Sequence, residues 1–248
     1  MIENSLEGKT ALVTGASRGI GAAVARRLAR QGAIVAVHYG ANAEAADALV
    51  DEIGGGAFAV QADLRDVAQI KAMFETLDGR FPAGLDILVA NAGVGGGASI
   101  PDTDEAAFDL LFDTNVKGPF FVMQHAAPRL VDGAGVVTIG SVASRGAAAP
   151  RAAYSASKLA VHGLTLSLAQ ELAPRGIRVN CVAPGAVATD LIAAARANPA
   201  FEQAVSAMTA FRRIGEPSDI ADAVLLLLQP EAGWITGQIV EVSGGLRL

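Results

Sequence analysis

Cysteine is almost missing from this chain. The single one, Cys181, sits inside the apolar run from Ile177 to Ala183, where it reads as a small buried hydrophobe rather than a reactive thiol. Histidine is nearly as scarce. His38, His125 and His162 are widely scattered, and none forms a ligand pair of useful spacing, so no metal site is expected. Charge is low, at 18% of residues, and the net charge of −6 argues against a nucleic-acid or anionic-membrane partner. Long apolar runs are absent too. The longest aliphatic stretch, Val224 to Leu228, is far too short to span a bilayer. Met1-Ile2-Glu3-Asn4-Ser5 lacks a basic segment and a following apolar one, so no secretory signal is expected. A reduced, cytoplasmic protein fits these absences.

What is present is hydrophobic residue, 52% of 248, enough for a large buried core. Short β-branched runs alternate with amphipathic stretches from end to end. Strands are predicted at Thr10 to Thr14, Ala33 to His38, Ala57 to Gln61, Leu85 to Val89, Val136 to Ile139, Ile177 to Ala183 and Ile239 to Val242. Helices are predicted between them, including Val67 to Leu77, Asp104 to Phe112, Val116 to Val131, a long one ending near Pro174, and Pro217 to Leu228. No repeat, linker or charge block divides the chain. The expectation is one doubly wound, Rossmann-like α/β domain over residues 1–248, a seven-stranded parallel sheet with helices on both faces. A helical excursion is expected at about 186–212.

In such sheets ligands lie beyond the carboxyl ends of the strands. The first strand ends in Gly15-Ala16-Ser17-Arg18-Gly19-Ile20-Gly21, where glycines let a backbone approach a pyrophosphate and the helix N-terminus offers free N–H groups. Gly15, Ser17, Arg18, Ile20 and Gly21 are therefore candidate dinucleotide contacts, although an ordinary tight turn would look similar. A carboxylate that holds a ribose 2′-hydroxyl usually follows about 20 residues on. Here the second strand ends His38-Tyr39-Gly40-Ala41-Asn42, with no carboxylate before Glu44. With Arg18 placed to pair with a 2′-phosphate, this favours NADP(H), with NAD(H) as the alternative. Tyr39 and Asn42 join the candidates, Asn42 also as a helix cap. After the third and fourth strands come Asp63 and Leu64, then Asn91, Ala92 and Gly93; Asp63 could accept from an adenine amino group, or these could be turn formers. Asn115 falls mid-helix, where its poor propensity suggests a kink, a bound water or a site role.

Ser141 follows the fifth strand. Tyr154 and Lys158 stand one turn apart on the next helix and share a face. A hydroxyl, a phenol and an ammonium meeting at one spot can do proton chemistry on a carbonyl. A nearby lysine would lower the ordinary tyrosine pKa of about 10. Gly140-Ser141-Val142-Ala143-Ser144 is not a nucleophile elbow, so hydrolase chemistry is set aside.

Taken in order, Thr14 to Gly21, Asn91-Ala92-Gly93, Asn115, Ser141, Tyr154-Ser155-Ala156-Ser157-Lys158 and Pro184-Gly185 with Thr189 resemble the short-chain dehydrogenase/reductase family over nearly the whole chain. Ala90 departs from it, standing where the family often has a second Asn. The resemblance implies that Tyr154 is the general acid/base, that Ser141 polarises the carbonyl, and that Lys158 binds the nicotinamide ribose and tunes the tyrosine. It further implies that Asn115 holds a water of a proton relay, and that Pro184, Gly185, Val187 and Thr189 contact the nicotinamide end. A homotetramer built on the helices around 116–131 and 152–174 is also implied. Gly140-Ser141-Val142, Leu172 to Asn180 and Arg213 to Pro217 resemble 3-oxoacyl-(acyl-carrier-protein) reductases; the loop Val94 to Ile100 is closer to general ketone reductases. The expected substrate is a small, largely apolar carbonyl or alcohol, enclosed by loops 94–100 and 142–151 and by the excursion with Leu191, Ile192, Met208 and Phe211. A non-catalytic dinucleotide-binding regulator is the contrasting reading, disfavoured because all the proton-transfer residues are present.

Overall fold

The computed structural model describes residues 5–145 and 150–246. Its strands are β1 (Thr10–Val13), β2 (Ile34–Tyr39), β3 (Phe58–Gln61), β4 (Leu85–Ala90), β5 (Leu130–Ile139), β6 (Arg178–Pro184) and β7 (Ile239–Val242). They form one sheet in the order β3-β2-β1-β4-β5-β6-β7, and every pairing is parallel. The order reverses direction between β1 and β4. At such a switch point the loops leave the sheet in opposite directions and open a crevice.

Alternate side chains of each strand feed two cores, as a pleated strand dictates. Ala11 and Val13 of β1, Ile87 and Val89 of β4, and Val137 and Ile139 of β5 face one layer. Leu12, Leu88, Ala90 and Val136 face the other. The first layer is covered by α1 (Gly19–Ala29), α2 (Ala43–Ile53) and α9 (Pro217–Leu228), with Val24, Leu28, Leu49, Ile220 and Val224 buried against the sheet. The second is covered by α3 (Val67–Arg80), α5 (Gly118–Ala126) and α6 (Ala152–Leu172), through Ile70, Phe74, Val122, Met123, Leu168 and Leu172. Helix α4 (Glu105–Phe112) lies against α6. Between β6 and α9 come two small helices, α7 (Ala193–Arg196) and α8 (Pro199–Met208).

Three larger departures from the sequence reading stand out. The helix expected to reach Val131 stops at Ala126, because Pro128 has no N–H to continue the ladder. Strand β5 starts at Leu130, six residues earlier than expected: Asp132, Gly133 and Gly135 hide the strand signal, and its register against β4 shifts between Leu85 and Ile87. The break sensed at Asn115 is a π turn over Asp113–Lys117 joining α4 to α5.

Candidate active site

The glycine turn after β1 is held from three sides. Gly15 has φ +62, a conformation that favours glycine, and a Cβ on it would stand 2.8 Å from Ala92 Cα. The Asn91 side-chain amide donates to the carbonyls of Thr14 (2.9 Å) and Gly15 (3.1 Å), while the N–H groups of Asn91 and Ala92 both donate to Thr14 Oγ1 at 3.0 Å. Asn91 is thus a brace for the turn. A Cβ on Gly21 would collide with Gly15 O and Asn91 Nδ2, so α1 starts as close to β1 as a helix can. The turn and the α1 N-terminus form a cradle of bare backbone that suits a pyrophosphate.

Around this cradle the other candidates fall as the topology requires, but several are already occupied. Arg18 N-caps α1 in position only; its side chain is exposed and pairs with Asp190 at 3.3 Å. Ser17 and Ile20 flank it in the same turn. Tyr39 ends β2, half-buried. Asn42 spends its Oδ1 on the N–H of Ala45 at the start of α2. Asp63 is held by a bidentate pair with Arg65, at 2.9 and 2.6 Å, which keeps its carboxyl below the ordinary range; burial opposes this. Arg65 is a partner that the sequence reading missed. Leu64 is buried, with its carbonyl under Gly118. Pro184 ends β6, Gly185 donates to the Val242 carbonyl, and Val187 is buried in a parallel bridge with Gly215. Thr189 begins the next turn, with its methyl facing Gly19. The glycine turn after β1 and the segment after β6 thus come together, Thr189 against Gly19 and Asp190 against Arg18.

The chemical residues gather beside it. Ser141 leaves the end of β5 and caps a short 3₁₀ turn, its Oγ accepting from the Ala143 N–H at 3.1 Å. Its hydroxyl lies beside the phenol of Tyr154, which is 7% exposed on α6. Burial pushes the Tyr154 pKa above its ordinary value, and the Ser141 hydroxyl and the Arg151 charge only partly offset this. The expectation of a lowered tyrosine pKa is therefore corrected for the free protein, in which burial outweighs the opposing contributions. Lys158 is buried, and Nζ donates to the Ile139 carbonyl at 3.0 Å; burial lowers its pKa to about 8. A Cβ on Gly93 would stand 3.2 Å from that ammonium and 3.0 Å from Asn115 Oδ1, so Gly93 admits both to the same spot.

Asn115 is fully buried. Its Oδ1 accepts from the Val94 N–H (2.8 Å), and its Nδ2 donates to the Val94 carbonyl (2.9 Å) and to Ser157 Oγ (3.1 Å). Ser157 in turn donates to the Tyr154 carbonyl at 2.8 Å. The π turn thus fastens loop 94–100 to the helix that carries the tyrosine. His162, one turn beyond Lys158, bonds Ser144 Oγ at 3.2 Å, and Ser144 donates to the Ser141 carbonyl. This support of the serine loop was not foreseen, although Tyr154, Lys158 and His162 share one helix face at four-residue spacing. Cys181 is fully buried, and burial raises its thiol pKa. Of the apolar residues expected over the site, Leu191 reaches Gly95, whereas Phe211 packs toward Gly244. Residues 146–149 of the expected wall lie outside the described residues.

This arrangement is that of the short-chain dehydrogenase/reductase family, to which the chain belongs. A family model described as enoyl-(acyl carrier protein) reductase matches residues 15–247. An uncharacterized oxidoreductase of Methylorubrum extorquens is 42% identical, covering 98% of this chain and 100% of its own. The 3-oxoacyl-[acyl-carrier-protein] reductase FabG of Staphylococcus aureus is 39% identical, covering 97% and 98%. Among solved structures, the angucycline C-6 ketoreductase LanV with bound NADP superposes with a TM-score of 0.93 at 37% identity, covering 99% and 98%.

Proposed function

We propose that this protein is an NADP(H)-dependent oxidoreductase that interconverts a ketone and a secondary alcohol. The observation that carries the reading is the meeting of Ser141 and Tyr154 beside a buried ammonium, at the edge of a cleft built for a dinucleotide. The residues present fit that cofactor. The cradle at Gly15 and Gly21 admits a pyrophosphate, Arg18 offers a guanidinium near the adenosine end, and no carboxylate ends β2 to repel a 2′-phosphate. LanV, so similar in fold, was seen with NADP. Ser17, Ile20, Tyr39, Leu64, Ala92 and Gly93 line the adenosine and ribose side in this reading, and Pro184, Gly185, Val187 and Thr189 the nicotinamide side.

When bound, the reduced nicotinamide supplies a hydride to the carbonyl carbon. Tyr154 gives its phenolic proton to the carbonyl oxygen as negative charge grows there, and Ser141 donates a hydrogen bond to the same oxygen. At neutral pH the phenol is protonated, so the proton to be given is in place, and a cation that favours the phenolate is needed to offset the burial that holds its pKa up. The Lys158 ammonium stabilises the phenolate left behind and holds the ribose. Asn115 Nδ2 is committed to Val94 and Ser157 and Oδ1 already accepts from Val94, so a relay water held by this side chain would have to donate to the remaining lone pair of Oδ1.

The chain works in this reading as one catalytic domain, with residues 186–212 as a lid over an apolar substrate. Phe120, Leu159 and Leu166 are exposed on α5 and α6, which supports a homotetramer assembled through those helices; light scattering giving a monomer mass would oppose it. The acyl-carrier reductase activity is the second reading, supported by FabG. A panel of ketones, a 3-oxoacyl thioester and a 2-enoyl thioester, each followed by NADPH oxidation, tests the assignment. Turnover of carbonyl compounds is expected; reduction of the enoyl thioester alone would refute it.

A further inference from the structure

Among the described residues, His38 is a buried titratable side chain beside the glycine turn that the mechanism above does not use. It is 2% exposed at the end of β2, among the cofactor-facing strand ends. Its Nδ1 accepts the Gly15 N–H at 2.9 Å, and its Nε2 lies 3.1 Å from the Ala62 carbonyl. A peptide N–H can only donate, and a carbonyl can only accept. The ring is therefore the neutral tautomer with its proton on Nε2. The backbone repeats the connection, since Ala16 N–H donates to the His38 carbonyl at 2.8 Å and Ala62 N–H to the Tyr39 carbonyl at 3.1 Å.

We propose that His38 is a positioning residue for the dinucleotide, fixing the glycine turn in its binding shape by clamping Gly15 to the end of β3. The inference rests on the functional reading above. Three strand ends that border the adenosine half of the cleft, those of β1, β2 and β3, meet at this one imidazole. Gly15 already has positive φ and lies against Ala92, so its N–H has one direction in which to point. Without an acceptor there, a buried donor is left unsatisfied. The turn can relieve this only by rotating toward the open cleft, and cofactor binding must then reverse that rotation. The loss falls on affinity for the dinucleotide, not on the proton transfer at Tyr154.

The test measures NADPH and NADH dissociation constants by nucleotide fluorescence, together with melting temperature, kcat and KM, for the parent and three variants. His38→Leu removes the acceptor. His38→Asn places Oδ1 where Nδ1 stood, and His38→Gln instead reaches toward Ala62. The expected result is weakening of both nucleotides by about tenfold in His38→Leu, the effect of about 1.4 kcal/mol, with kcat at saturating cofactor within about twofold. His38→Asn is expected to stay within about threefold of the parent and His38→Gln to bind as poorly as His38→Leu. Should His38→Leu fail to fold, the Asn and Gln pair decides alone. A lower melting temperature with unchanged dissociation constants would overturn the proposal, and so would equal loss in Asn and Gln. Weakening of NADPH alone would also overturn it, since the pyrophosphate turn serves both nucleotides. A parent that binds neither nucleotide refutes the functional reading itself, and this role with it.

Discussion

Arg18 and Asp190 are 172 positions apart, yet Nη1 and Oδ2 meet at 3.3 Å. The pair spans the cleft, joining the glycine turn to the first turn after β6. Both side chains are exposed, so the bond is weak, of the order of 0–1 kcal/mol. A doubly charged 2′-phosphate would be a stronger partner for the same guanidinium.

Cofactor choice should therefore depend on both residues in opposite senses. Arg18→Ala is expected to lower kcat/KM for NADPH by about tenfold and to leave NADH nearly unchanged. Asp190→Asn frees the guanidinium and is expected to tighten NADPH binding by up to about fivefold. Dissociation constants for the two nucleotides check both. A parent that prefers NADH would refute the role given to Arg18.

Acid stability is tied to His38. Burial holds its pKa at about 4, below the ordinary 6.5, with the Ala62 bond opposing. The unfolded chain thus binds a proton that the folded chain refuses. Stability from this group is complete above pH 6.5 and is lost as pH falls through 4, about 3 kcal/mol in all. Thermal melts of His38→Asn between pH 4 and 7 should show a flatter pH dependence than the parent. Parallel curves would contradict the assignment.

Lys158 illustrates a conflict between stability and function. Its folded pKa of about 8 lies below the ordinary 10.5 because burial disfavours the charge. The unfolded chain holds the proton more tightly between pH 8 and 10.5, so this group's contribution to stability rises over that range. Replacing it with a neutral side chain of similar length removes the buried charge. Lys158→Met is expected to melt higher than the parent at pH 7, by roughly 2–4 °C for each kcal/mol recovered, and to lose turnover. A variant that is less stable and still active would show that the ammonium serves the fold instead.

The π turn offers a separate check. Asn115→Ala strands the Val94 N–H and carbonyl in a partly buried setting, which costs about 1 kcal/mol. Loop 94–100 is expected to loosen with it, raising substrate KM. Hydrogen exchange confined to that loop, beside a lowered melting temperature, is the signature to look for.

Much of this was legible in the sequence. Strand runs such as Leu85 to Val89 are short, β-branched or aliphatic, and stop at glycine or asparagine, so their ends locate the cleft. The four-residue step from Tyr154 to Lys158 fixes a shared helix face whatever the surroundings. Less was legible where function depends on partners distant in sequence. Asn115 engages Val94, 21 residues away, and Lys158 turns to Ile139, 19 away; nothing in the local pattern says which of several acceptors is nearest. The same holds for the sign of the tyrosine shift. Sequence places a cation one turn away, but burial decides, and burial is a property of the packed helix. Strand β5 was underestimated because its first half holds Asp132 and Gly133, which lie where the register against β4 shifts, and regular pairing resumes only at Gly135.

The most direct test of the account replaces one oxygen. Tyr154→Phe keeps the ring and its packing and removes the proton donor. The variant is expected to bind NADPH as the parent does and to reduce a ketone accepted by the parent at least about 100-fold more slowly. Turnover at the parent's rate, with NADPH bound, would contradict it.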